Sequence, residues 1–264
     1  MASLFEMIQQ NANDLGIDLP SSVVADLLQQ HPNEEECLQA VSDVFQYLRD
    51  RKYEDTVTLF MKTSRLPRKE PVTFDNFDFT QLHGQDVEQL KNLRTLGPIY
   101  AHQNLILIGP PGTGKTHLAQ AMGTECCRNR MKAYFLTFSE LNARLKNARK
   151  MDRVESTING LVKPTCLIID EVGQVVYDRD NTRLFFDVVN RRYSKEGNGS
   201  IIMTSNENSD QWAQFFTDDS SLLRSMDRLF DHAIVINVKG QSYRGKGRIQ
   251  LAVEAGPSTS PTVH

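Results

Sequence analysis

The stretch "NLILIGPPGTGKTHLAQAMG", residues 104–123, decides the fold. A short apolar run leads into a glycine-rich loop, and a helical pattern follows at once. Gly109, Pro110, Pro111, Gly112, Thr113, Gly114, Lys115 and Thr116 fit G-x-x-x-x-G-K-[ST] without a mismatch. Glycines there let backbone N–H groups curl around phosphate oxygens, and the helix N-terminus adds a favourable dipole. Lys115 is expected to reach the β- and γ-phosphates of a nucleoside triphosphate, and the Thr116 hydroxyl to ligate Mg²⁺. His117 completes the candidate ATP-binding segment. Kinases, GTPases, motors and assembly switches share such a loop, so it does not say what the nucleotide is for.

Working outward, further apolar runs have the length and composition of buried strands. "AYFLTF" covers 133–138, "TCLIID" 165–170, "SIIMTS" 200–205 and "AIVINV" 233–238. With "NLILI" they make five continuous apolar strands separated by helical patterns. This predicts an α/β fold built on a five-stranded parallel sheet covered on both faces.

The strand at 165–170 ends in Asp170 and Glu171. Asp170 is placed to hold the Mg²⁺. A carboxylate at Glu171 can polarise an attacking water, which a transfer enzyme with an organic acceptor would not need there. The pair therefore favours hydrolysis. Asn206, at the tip of the next strand, is a candidate for positioning that water or sensing the γ-phosphate; its alternative is an ordinary turn residue.

The first 63 residues differ in character. They hold 4 Lys/Arg and 11 Asp/Glu, against 26 and 22 in the remainder, so a net −3 conceals −7 followed by +4. Phe5, Ile8, Ala12 and Leu15 recur at helical spacing, as do Leu38, Val41, Phe45 and Leu48 behind an Asn33/Glu36 capping signal. We expect an acidic all-α domain over 1–63, a Pro-rich and basic linker over 64–79, and the nucleotide-binding core over 80–244. The Gly/Pro/Ser/Thr-rich segment 245–264 has a composition that favours disorder. The four cysteines show neither zinc nor disulfide spacing, no apolar run approaches the roughly 18 residues of a membrane span, and the N-terminus lacks a signal-peptide pattern. These features point to a cytoplasmic protein without a membrane partner.

Residues 128–153 hold eight Lys/Arg and two acids. Lys146, Arg149, Lys150 and Arg153 fall at i, i+3, i+4 and i+7, opposite Leu141, Leu145 and Ala148. Such a stripe suits a DNA phosphate backbone, without reading bases; a solvated helix face is the alternative.

"GPPGTGKTHLA", "LIIDEVG", "TSN" and "SMDRLFDHAIVINVKGQSYR" occur in that order. Together they make residues 66–244 resemble the IstB family of transposition ATPases, relatives of the helicase loader DnaC within the AAA+ class. The resemblance implies an AAA+ P-loop core. It implies ATP and Mg²⁺ as cofactors, and a homo-oligomer assembled with ATP on duplex DNA that recruits a transposase. A DnaC-like helicase loader is the alternative. It also implies two arginine roles: Arg228 as a finger reaching a neighbouring subunit's nucleotide, and Arg244 as a sensor contacting its own. A surface ion pair with Asp227 or Asp231 is the alternative for Arg228, and Arg191 and Arg192 are rivals for the intersubunit contact. Only 20 residues follow Arg244, so no C-terminal lid is expected.

Overall fold

The computed structural model describes residues 3–30, 33–67, 69–82, 87–194, 199–217 and 222–240. Arg244 and the segment 245–264 lie outside the described residues. Among the described residues five α-helices precede the first strand: α1 (Leu4–Leu15), α2 (Ser21–Gln29), α3 (Glu34–Thr63), α4 (Val87–Asn92) and α5 (Gly97–Tyr100). The order continues β1 (Leu105–Ile108), α6 (Lys115–Arg128), β2 (Ala133–Thr137), α7 (Phe138–Lys150), α8 (Val154–Val162) and β3 (Cys166–Val172). It closes with α9 (Arg179–Ser194), β4 (Ser200–Ser205), α10 (Leu222–Phe230) and β5 (Ile234–Asn237).

The five strands form one parallel sheet in the order β2-β3-β4-β1-β5. Strand β1 is buried along its whole length. Successive side chains point to opposite faces, so Ile106 and Ile108 join a core beneath α7, α8 and α9, while Leu105 and Leu107 join a second core beneath α6. This is a three-layer α/β arrangement, with helices on both faces of the parallel sheet.

The helix at 138 begins one residue inside the expected strand, because Thr137 makes a full capping box with Glu140. Its far end also departs from the simple spacing. Helix α7 stops at Lys150, Asp152 adopts a left-handed φ of 52°, and the Arg153 N–H donates to the Ala148 carbonyl at 2.9 Å. A backbone N–H folded back over the last turn closes a helix in this way. Arg153 therefore stands in the turn before α8 and not on the α7 face with Lys146, Arg149 and Lys150.

Helix α1 carries a complete Ser3/Glu6 capping box, whereas Asn33 caps α3 only through the Glu36 N–H. Ile8 and Ala12 are buried, and Arg49 and Lys52 of α3 donate to Asn11 and to the Asp14 and Leu15 carbonyls. Helix α3 then runs unbroken to the core, where the Tyr53 hydroxyl donates to the Arg128 carbonyl and Phe60 and Met61 pack on the α6-side core. Residues 64–79 also pack down. Leu66, Phe74 and Phe77 are buried there, and the Phe135 N–H donates to the Ser64 carbonyl at 2.8 Å. None of the helices among the described residues is long and apolar enough to cross a membrane.

Arg192, 2% exposed, is consumed by the fold. Its guanidinium donates to the carbonyls of Leu161, Val162, Pro164, Thr165 and Ser200 at 2.8–3.3 Å. It thus satisfies the carbonyls left over at the C-terminal end of α8 and joins them to the starts of β3 and β4. Burial pushes its pKa down to about 10, so it stays protonated at neutral pH. Arg191 instead pairs with Glu155 and Asp187 at the surface. Neither is placed to reach a neighbouring nucleotide without giving up these bonds. Arg192→Leu should destabilise the protein by about 3 kcal/mol or more through orphaned buried carbonyls, while Arg191→Ala should cost under about 1 kcal/mol. Chemical denaturation of the two variants checks this; equal losses would contradict it.

Candidate functional site

The parallel sheet brings the C-terminal ends of β1, β3 and β4 to one edge, and a cleft of about 560 Å³ opens there. It is lined by the loop before α6, by Glu171 and Gln174 beyond β3, and by Thr204, Ser205 and Asn206 at the end of β4.

Two glycines are required by the path of the loop. A side chain at 109 would place its Cβ 2.2 Å from the Val238 carbonyl oxygen. Gly114, immediately before α6, has φ +90°, a conformation that L side chains rarely adopt. Thr113 is fully buried and its hydroxyl donates to the Pro110 carbonyl at 2.9 Å, so it braces the loop from within. The Lys115 ammonium donates to the Gly109 and Pro110 carbonyls at 2.7 and 2.8 Å and to Asn206 Oδ1 at 2.9 Å. This last bond joins the loop to the tip of β4, so Lys115 and Asn206 stand together.

Thr116 and Asp170 also meet. The Thr116 hydroxyl oxygen lies 2.9 and 3.1 Å from the two carboxylate oxygens of Asp170, which is 3% exposed. Oxygen donors so grouped beside a phosphate-binding loop suit a hard cation such as Mg²⁺. Glu171 follows at φ +60°, its N–H donating to the Thr204 hydroxyl at 3.0 Å.

His117 lines the cleft as well, and its ring is tied to the segment before the core. Its Nε2 lies 3.1 Å from Asn76 Oδ1 and 3.3 Å from the Thr73 carbonyl, so that nitrogen carries a proton. Its ring meets Phe77 edge to face at 5.1 Å. The residue thereby clamps the segment 73–78 against α6, and Asn76, Phe77 and Asp78 become a wall of the cleft. Sequence reading missed this wall, although the aromatic spacing in "FDNFDF" was its visible sign.

Arg228 lies elsewhere. It is exposed on α10, donates to Asn190 Oδ1 at 2.8 Å and stands 5.8 Å from the Tyr193 ring. With Asn104, Gly199 and Ile201 it lines a separate pocket at the N-terminal ends of β1 and β4. Lys146, Arg149, Lys150 and Arg153 are exposed, but Arg149 is already bound to Asp178 at 3.0 Å, to Asn181 at 3.1 Å and to Asp180.

Residues 21–251 match the family described as IstB-like ATP binding protein. The ATP-binding protein of insertion sequence IS5376 from Geobacillus stearothermophilus is 37% identical over 189 residues, 72% of this chain and 73% of that one. Among solved structures, DnaI aligns with a TM-score of 0.56 and 20% identity, covering 69% of this chain and 96% of that one. AMPPCP-bound DnaA from Aquifex aeolicus aligns with a TM-score of 0.53 and 23% identity, over 67% and 52%. These two likenesses establish the fold.

Burial lowers the His117 pKa below its ordinary 6.5. Above pH 6.5 the ring is neutral folded or unfolded. As pH falls through 6.5 the unfolded chain takes up the proton first, so the stability contributed by the neutral ring is lost toward the folded pKa. Melting temperatures at pH 7.5 and 5.5 should therefore fall further for the wild type than for His117→Gln, which keeps a donor but does not titrate. An equal fall in both would contradict the clamp.

Proposed function

This chain belongs to the IstB-like ATP-binding proteins, and from that premise we propose that it is an ATP-driven assembly switch that forms homo-oligomers on duplex DNA and engages a transposase. The observation that carries the reading is the separation of Arg228 from the cleft. Asn104, beside Arg228, precedes β1, and Gly109 follows it. Four residues of strand lie between, about 13 Å at 3.3 Å each. Arg228 thus stands away from its own phosphate site and open to solvent, as a residue serving a neighbour's site requires. A guanidinium supplied across a junction neutralises developing phosphate charge only when subunits stack, which couples ATP to assembly.

Within the cleft, Lys115 holds the β- and γ-phosphates and Asn206, bonded to it, orients the attacking water. Glu171 accepts the proton of that water. Thr116 and Asp170 would hold Mg²⁺, which when bound neutralises phosphate charge. Arg244, outside the described residues, is the proposed sensor on the same chain.

Exposed Lys146 and Lys150 on α7, with Arg153 in the turn beyond, are proposed to neutralise DNA phosphates without reading bases. Arg149 joins them only by exchanging its acidic partners. The insertion-sequence names of the relatives support a transposase as the partner that performs the strand chemistry. Val44, Tyr47 and Leu48, exposed on α3, offer it an apolar face. The helicase-loader reading has fold likeness alone behind it.

Glu171→Gln should still bind ATP but hydrolyse it about 100-fold more slowly or worse, leaving long-lived oligomers on duplex DNA in sizing experiments. Wild-type turnover in this variant would remove Glu171 as the base.

A further inference from the structure

Residues 170 and 171 pose a geometric problem. Successive strand residues point to opposite faces, yet the proposed hydrolysis needs both carboxylates at one phosphate. Strand β3 solves it with an extra residue. Ile169 pairs with Met203 and Val172 with Ser205, so Asp170 and Glu171 together face the single residue Thr204. Such a bulge re-aims a side chain. Here it places Glu171 at φ +60°, a conformation that costs a non-glycine residue unless its surroundings hold it there.

The Thr204 hydroxyl fills the bulge. It accepts the Glu171 N–H at 3.0 Å and donates to Asp170 Oδ1, and the residue is 1% exposed on the floor of the cleft. One hydroxyl therefore holds both halves of the dipeptide. Asp170 has a second hold, the Thr116 hydroxyl. For the Glu171 N–H, Thr204 supplies the acceptor that a regular strand partner would otherwise provide.

We propose that Thr204 is a positioning residue for ATP hydrolysis, its hydroxyl locking Glu171 in the bulge so that the carboxylate faces the attacking water. The proposal rests on the reading of Glu171 as general base. It places the effect of Thr204 on turnover and not on nucleotide affinity, and it requires a hydroxyl, which serine supplies and valine does not.

The test measures ATP affinity and steady-state hydrolysis for Thr204→Val, Thr204→Ser and Glu171→Gln in the full chain. Thr204→Val should bind ATP within about threefold of wild type while kcat falls about 100-fold, and Thr204→Ser should keep kcat within about threefold. If Thr204→Val does not fold, Thr204→Ala takes its place, with the same loss of kcat expected. A Glu171→Gln protein with wild-type turnover would overturn the general base and the role of Thr204 with it. A slow Glu171→Gln beside a hydroxyl-less Thr204 variant at wild-type kcat would overturn the role of Thr204 alone. Loss of ATP affinity matching the loss of turnover, or failure of serine to rescue, would make Thr204 merely structural and also overturn the proposal.

Discussion

The parallel pairing of β1 with β4 on one side and β5 on the other decides where each functional group can stand. Leu105 to Ile108 lie in register with Ile202 to Ser205 and with Ile234 to Asn237. That register delivers the phosphate loop and Asn206 to one edge, where Lys115 bonds the two together. It sends Asn104, Ile201 and Arg228 to the other. Burial makes the arrangement stiff, because β1 has no exposed residue and feeds both cores at once. Moving the loop relative to β4 would mean slipping a buried strand, which exchanges every side chain between the two faces.

Arginine use divides along the same lines. Arg192 caps carbonyls at the end of α8 and the starts of β3 and β4, Arg149 ties α7 to Asp178 and Asp180, and Arg191 holds Glu155 and Asp187. Arg228 differs, since it is exposed and bonded to the neutral amide of Asn190. A guanidinium paired with carboxylates would have to lose them before meeting phosphate. One resting on an amide and beside the Tyr193 ring keeps its full charge available.

Much of this was legible in the sequence because it depends on neighbours along the chain. The loop, its flanking strand and helix, and the apolar strands each carry a local pattern, and the strands appear within a residue or two of their expected bounds. What escaped depends on contacts across the fold. Residues 64–79 look like a linker by composition, yet Phe74 and Phe77 bury themselves and His117, 40 positions on, fastens them. Arg192 gives no local sign that five carbonyls from other elements converge on it. The bulge at Asp170 and Glu171 is visible only once β3 is laid against β4. Arg153 follows the α7 period in sequence, but Asp152 at positive φ has already ended the helix.

The proposed coupling of ATP to assembly requires a site completed across a junction between subunits. Its most direct measurement is the ATPase rate of mixtures of Arg228→Ala and Lys115→Ala proteins on duplex DNA, each folded and each inactive alone. The first keeps an intact cleft and the second an intact Arg228. Random mixing of head-to-tail subunits at equal amounts makes roughly a quarter of junctions complete, and hydrolysis should return to about that fraction of wild type. No recovery at any ratio would contradict a shared site.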